Sequence, residues 1–128
     1  MNVVVDSSGW IEYFADGPNA TWFGRAINRA DDLVVPSITV LEVYRYVLRN
    51  RGRQDALRVA ATMRQGRVVD LDEGLAIEAA ELGASLKLPL ADSVIYATAL
   101  ANECEVWTQD PDFEGLDAVK FKARRYTP

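Results

Sequence analysis

Residues 3–10, Val3-Val4-Val5-Asp6-Ser7-Ser8-Gly9-Trp10, decide how the rest of the chain is read. Three β-branched residues predict a short strand buried on both faces, the pattern of a parallel sheet. That strand runs straight into a carboxylate, followed by two hydroxyls and a glycine. Asp6 taken alone has two readings. It closes the strand as an Asx turn, or it is a functional acid presented at the end of a sheet strand.

Working outward, Leu33–Val35 (cut off by Pro36), Val68–Asp72, Val106–Thr108 and Val119–Phe121 are the other strand candidates. A brief helical turn is expected at Trp10–Phe14, and a second helix, capped by Asn19 or Thr21, through Ala30. Thr39–Asn50 is a stronger helix candidate, with Leu41, Tyr44 and Leu48 on one apolar stripe and Gly52 at its end. Further helices are expected over Gln54–Gln65, Glu73–Leu86 and Ala91–Asn102. Strands separated by helices predict an α/β fold around a mainly parallel sheet. With no repeat or linker to divide it, residues 1–128 are expected to form one domain.

Composition narrows the chemistry. The chain contains no histidine, which removes the commonest general base, the Ser-His and Cys-His nucleophile pairs and the histidine ligands of catalytic zinc. A net charge of −5 argues against a simple basic coat for nucleic acid, unless cations offset an acidic pocket. The one cysteine, Cys104, precludes an internal disulfide and fits a reducing cytosol. No apolar run has the length of a membrane span, and no signal peptide is evident, so a cytoplasmic location is expected.

Hydrolysis without histidine needs carboxylates, lysine, tyrosine or a hard metal held by oxygen ligands. In open α/β sheets, ligands bind beyond the carboxyl ends of the strands. Asp6 and Asp110 end strands at that edge, and Glu42 and Asp92 lie near helix starts that belong to the same edge. Each also has a structural reading. Thr39-Val40-Leu41-Glu42 fits a capping box, and Asp110-Pro111-Asp112 fits a turn or helix cap. Asp92 is the most telling, because Ile95, Tyr96 and Ala99 follow on its own helix face, where an unpaired charge is costly. Four carboxylates crowded together cannot all stay ionised without compensating cations. Hard divalent ions supply that compensation and activate water without histidine.

The ordered acids resemble the PIN-domain family of metal-dependent ribonucleases, in particular the VapC-type toxins of toxin–antitoxin pairs. Asp6 in VVVDSSGWIEYF is similar to the family's first acid, and Ser8 to the small hydroxyl residue two positions later. Glu42 in PSITVLEVYRYV and Asp92 in LPLADSVIYATAL match the second and third acids. Asp110 in VWTQDPDF matches the last, with Thr108 and Asp112 as companions, and Asp112 shares or replaces its role. The resemblance implies a three-layer α/β/α fold, Mg²⁺ or Mn²⁺, an RNA substrate, a toxin homodimer, and a VapB-like antitoxin whose C-terminal segment blocks the cleft.

On that reading Asp6, Asp92 and Asp110 hold the metal and its waters, while Glu42 binds metal or orients the attacking water. Ser8 and Thr108 support the carboxylates. Arg45, Arg49, Arg51 and Arg53, with Arg58, Arg64 and Arg67, form a basic tract that is either a solvated surface or a path for RNA phosphates. Lys120, Lys122, Arg124 and Arg125 form a second one. Tryptophans 10, 22 and 107 read first as packing. One rival is a catalytically inactive PIN-like module that binds RNA or protein. Another is a phosphotransfer or receiver-like domain. The DSSG stretch lacks the second aspartate of a D-x-D motif, and Lys87 is the only lysine before Lys120, so no late strand-end lysine serves a receiver.

Overall fold

A computed structural model of the chain describes residues 1–125. The valines form β1 (Asn2–Val5), and Asp6 ends it by capping α1 (Ser7–Phe14), its side chain accepting the Gly9 N–H. The Ser-Ser-Gly stretch is thus the first turn of an eight-residue helix, where the sequence suggested a turn before a brief helical segment. The chain continues through α2 (Ala20–Ile27), β2 (Leu33–Pro36), α3 (Ser37–Arg51), α4 (Arg53–Met63) and β3 (Arg67–Val69). Then follow α5 (Glu73–Leu86), α6 (Leu90–Ala101), β4 (Cys104–Thr108), a 3₁₀ turn at Pro111–Phe113 and β5 (Val119–Phe121).

All five strands pair in parallel, in the order β3-β2-β1-β4-β5. Alternation along the strands sorts the core into two layers. Val3, Val5, Leu33, Val35 and Trp107 pack with Trp10, Phe23, Val43 and Val47 of α1–α3, and with Val59 and Met63 of α4. Val4, Val34, Cys104 and Val106 pack on the other side with Ile95, Tyr96 and Ala99 of α6, and with Phe113. Helix α5 joins that second layer against α6 through Ala79, Val94 and Ala97. The result is the expected α/β/α sandwich.

The strand order places the site. From β1 the chain winds outward through β2 to β3, then returns to lay β4 on the opposite side of β1. The winding direction therefore reverses between β1 and β4. The crevice at such a reversal, beyond the carboxyl ends of the strands, is where ligands bind in open α/β sheets. Asp6 follows β1 and Asp110 follows β4, one on each side of it.

Three local expectations are corrected. Helix α3 starts at Ser37 directly from Pro36, so Thr39 is already inside the helix and fully buried, and no capping box forms with Glu42. Its buried stripe is Thr39, Val43 and Val47, whereas Leu41 and Leu48 are 59% and 44% exposed. Both stripes have helical spacing, and only the sheet beneath selects between them. Asn19 stands at the start of α2 without capping it, because its side-chain amide donates to Gln109 Oε1 and to the Ala123 carbonyl instead.

The tryptophans pack as expected. Trp10 and Trp107 are buried, and Trp22 stacks on Trp107 with ring centroids 4.7 Å apart. Lys120, paired in register with Trp107, carries its ammonium 4.9 Å from that ring's centroid, and Lys122 lies 5.9 Å from the Trp22 ring. Gly9 shows how closely α1 sits on the sheet. A Cβ added there would stand 2.5 Å from Phe23 Cε1 and 2.6 Å from Val5 Cγ1, both inside the core. Gly9→Ala is expected to destabilise the fold by about 1–3 kcal/mol through overpacking, read as a lower urea midpoint at unchanged slope.

Candidate metal centre

Each acid reaches the crevice by its own local route. Asp6 is 2% exposed and is held by three donors: the Ser8 hydroxyl, 2.9 Å from both carboxylate oxygens, the Gly9 amide at 3.0 Å to Oδ1, and the Thr108 hydroxyl at 2.8 Å to Oδ2. Thr108 is shared between the two strand ends, because its oxygen also accepts the Asp110 N–H at 2.9 Å. Asp110 in turn accepts the Asp112 N–H at 2.9 Å and so caps the 3₁₀ turn. The turn reading of Asp110-Pro111-Asp112 holds, and the same turn folds Asp112 back toward its neighbours.

Asp92 lies in the first turn of α6, above the buried run Ser93–Ala99. Carboxylate oxygens of Asp92, Asp110 and Asp112 lie within 4.8 Å of one another. Glu42, in the second turn of α3, is half-buried and accepts a hydrogen bond from the Ser7 hydroxyl at 2.6 Å. Asp6 and Glu42 stand outside the tight triplet but within electrostatic range of it. Burial pushes the Asp92 carboxyl up to about 7, with Asp110, Asp6, Glu42 and Asp112 adding to the rise. Burial likewise lifts Asp6 to about 6, against its three hydrogen bonds, and the charge of Asp110 adds to the rise.

The sequence-predicted acids Asp6, Glu42, Asp92 and Asp110 therefore share one site, and Asp112 joins it as a third member of the innermost group. Ser8 and Thr108 sit where expected, as donors to Asp6. Ser7 was not anticipated: it is one of two adjacent serines, and only the position of α3 distinguishes it. The basic residues are not drawn into the cluster in the same way. Arg45, Arg49, Arg51 and Arg53 are exposed along the far half of α3 and the start of α4. At about 1.5 Å rise per residue, Arg49 lies about 10 Å along the helix from Glu42. Cys104 is buried, and burial pushes its thiol up to about 11, so it supplies no thiolate.

The donor set suits a hard divalent cation. Mg²⁺ takes carboxylate oxygens at about 2.0–2.1 Å, which puts opposite ligand oxygens about 4 Å apart. The Asp92–Asp110–Asp112 triplet is near that spacing, and its crowded charge gives a cation a reason to bind.

A family model described as the PIN domain matches residues 3–119. No curated protein matches the chain in sequence. Among solved structures, a toxin–antitoxin complex from Klebsiella pneumoniae is similar, with a TM-score of 0.81 at 21% identity, over 97% of this chain and 100% of that one. The Mycobacterium tuberculosis sarcin-ricin loop cleaving toxin VapC20 superposes with a TM-score of 0.75 at 18% identity, over 91% and 95%. VapBC2 from Rickettsia felis, bound to a DNA fragment from its promoter, gives 0.74 at 12%, over 96% and 98%. At these identities the likeness is one of fold.

The raised carboxyls have a stability consequence. A carboxyl whose folded-state value lies above its unfolded value of 3.8 stabilises the fold below that value and loses the contribution as pH rises through the folded value. In EDTA, thermal stability is expected to fall as pH rises from about 4 to 7. Asp92→Asn removes part of that slope and is more stable than the parent at pH 8. An unchanged slope in Asp92→Asn, followed by melting temperature against pH, contradicts this electrostatic account.

Proposed function

The chain belongs to the PIN-domain family, and on that premise we propose that it is a metal-dependent endoribonuclease, the toxin of a type II toxin–antitoxin pair. One observation carries the reading. Asp92, Asp110 and Asp112 converge at the reversal point of the sheet, with Asp6 and Glu42 in electrostatic range, in a chain without histidine. Such a set suits hydrolysis of a phosphodiester by activated water.

Asp92, Asp110 and Asp112 would hold Mg²⁺ or Mn²⁺, with Asp6 and Glu42 completing the acidic wall. A bound divalent cation supplies a water nucleophile at neutral pH and offsets charge developing on the phosphate. Thr108 and Ser8 fix the Asp6 carboxylate, and Thr108 at the same time fixes the backbone of Asp110. Glu42 would orient a water or take a share of the cation. The exposed Arg45, Arg49, Arg51 and Arg53 give RNA phosphates a path toward the crevice.

The similarity to a toxin–antitoxin complex and to VapBC2 supports an antitoxin as partner. A groove between α1, α3 and α4, floored by Ile11, Phe14, Val47 and Val59 and rimmed by Arg51 and Arg58, offers such a partner an apolar seat. A homodimer, which the family resemblance implies, would cover exposed apolar side chains such as Leu90 at the start of α6. Among the described residues no helix is long and apolar enough to cross a membrane.

Purified protein with Mn²⁺ is expected to cleave members of a total cellular RNA pool, and EDTA to stop it. Asp92→Asn should lower the rate at least about 100-fold while keeping the circular dichroism of the parent. Full activity in that variant removes Asp92 from the chemistry, and an inert parent favours a binding module. Replacing Arg49, Arg51 and Arg53 by Gln should reduce the salt slope of RNA binding by about 2, the contribution of three phosphate contacts. An unchanged slope moves the RNA path elsewhere.

A further inference from the structure

Ser7 and Ser8 are consecutive in α1 and send their hydroxyls to two different acids. Ser8 donates to Asp6, two residues back. Ser7 donates across 35 residues of chain to Glu42 Oε1 at 2.6 Å, a length typical of a hydroxyl on a carboxylate. Successive helical residues point about 100° apart, so adjacent serines serve two walls of one crevice.

Ser7 is firmly placed. It is the first residue of α1, whose cap is Asp6 itself, and β1 holds Asp6 in register with β4. Glu42 is less constrained, since a glutamate has several free torsions whose ordering costs side-chain entropy. Among the described residues, the Ser7 hydroxyl is the one hydrogen-bond donor to the Glu42 carboxylate, and it engages one oxygen while leaving Oε2 free of protein donors. Packing between α1 and α3 does not need this bond, because Trp10 already meets Val43 and Val47 in the core.

We propose that Ser7 is a positioning residue that fixes the Glu42 carboxylate beside the Asp92–Asp110–Asp112 triplet and thereby sets the affinity of the site for a divalent cation. The inference rests on reading the cluster as a cation site, and it adds a residue to which the ordered acids had given no role. Ser7 transmits the register of β1 to an acid carried by α3, so the two walls are held at a set separation.

The test measures Mn²⁺ binding by calorimetry on the full chain, together with melting in EDTA. Ser7→Ala is expected to weaken Mn²⁺ binding about tenfold, the range for a hydrogen-bond partner of a metal ligand, with little change in the EDTA melting temperature. Ser7→Thr, which keeps the hydroxyl, is expected to restore the parent affinity. If Ser7→Ala does not fold, Ser7→Cys keeps the size, weakens the donor and carries the same expectation. Parent-like Mn²⁺ affinity in these donor-deficient variants overturns the proposal and leaves the cation site standing. Loss of EDTA stability without rescue by Ser7→Thr makes the bond purely structural and also overturns it. A parent chain that binds no Mn²⁺ overturns both the proposal and the reading of the site.

Discussion

The architecture of the site hangs on one hydroxyl. Thr108 Oγ1 donates to the Asp6 carboxylate and accepts the Asp110 amide, joining the ends of two adjacent parallel strands. Those strands are adjacent because the chain reverses its winding between β1 and β4. Without that reversal, Asp6 and Asp110, more than a hundred residues apart in the chain, would end strands that never meet. The hydroxyl is fully buried, so the link works in an environment where an unpaired carboxylate or amide would be expensive.

The fold accepts an electrostatic cost at this place. Asp6 is buried, and three donated hydrogen bonds do not bring its carboxyl down to the ordinary range. Asp92 is lifted further, by burial and then by four neighbouring acids. A fold selected for stability alone would dilute such charge, whereas this one gathers it at the ligand-binding edge. Carboxyls shifted by burial and by like charge in a cleft are a recurring feature of functional sites.

The two helical layers divide the labour. Helix α6 is buried over most of its length and presents Asp92 from its first turn, so that acid sits on a rigid platform. Helix α3 is exposed along much of its surface and carries both Glu42 near the crevice and the arginines farther out. Its acid is steadied from α1 through Ser7 rather than by burial. Lys120 of β5 and Lys122 just beyond it are engaged over Trp107 and Trp22, which covers an edge strand with charge.

Much of this was legible in the chain itself. The valine runs mark parallel strands, the alternation of strands and helices marks the α/β class, and the ordered acids of a chain without histidine mark the candidate site. Asp92 declared itself by sitting on the apolar face of its own helix. Other features were decided by tertiary structure. Leu41 and Leu48 have the same helical spacing as Thr39, Val43 and Val47, and only contact with the sheet determines which stripe is buried. Asn19 looks like a cap until Gln109 and the Ala123 carbonyl come within its reach. Ser7 and Ser8 are chemically identical neighbours, and nothing local says that one serves Asp6 and the other Glu42. Periodicity and residue chemistry are local properties that the sequence carries by itself. Which strands lie side by side, and so which acids share a crevice, is set by long-range packing, and that is why the cluster as a whole existed only once the sheet had assembled.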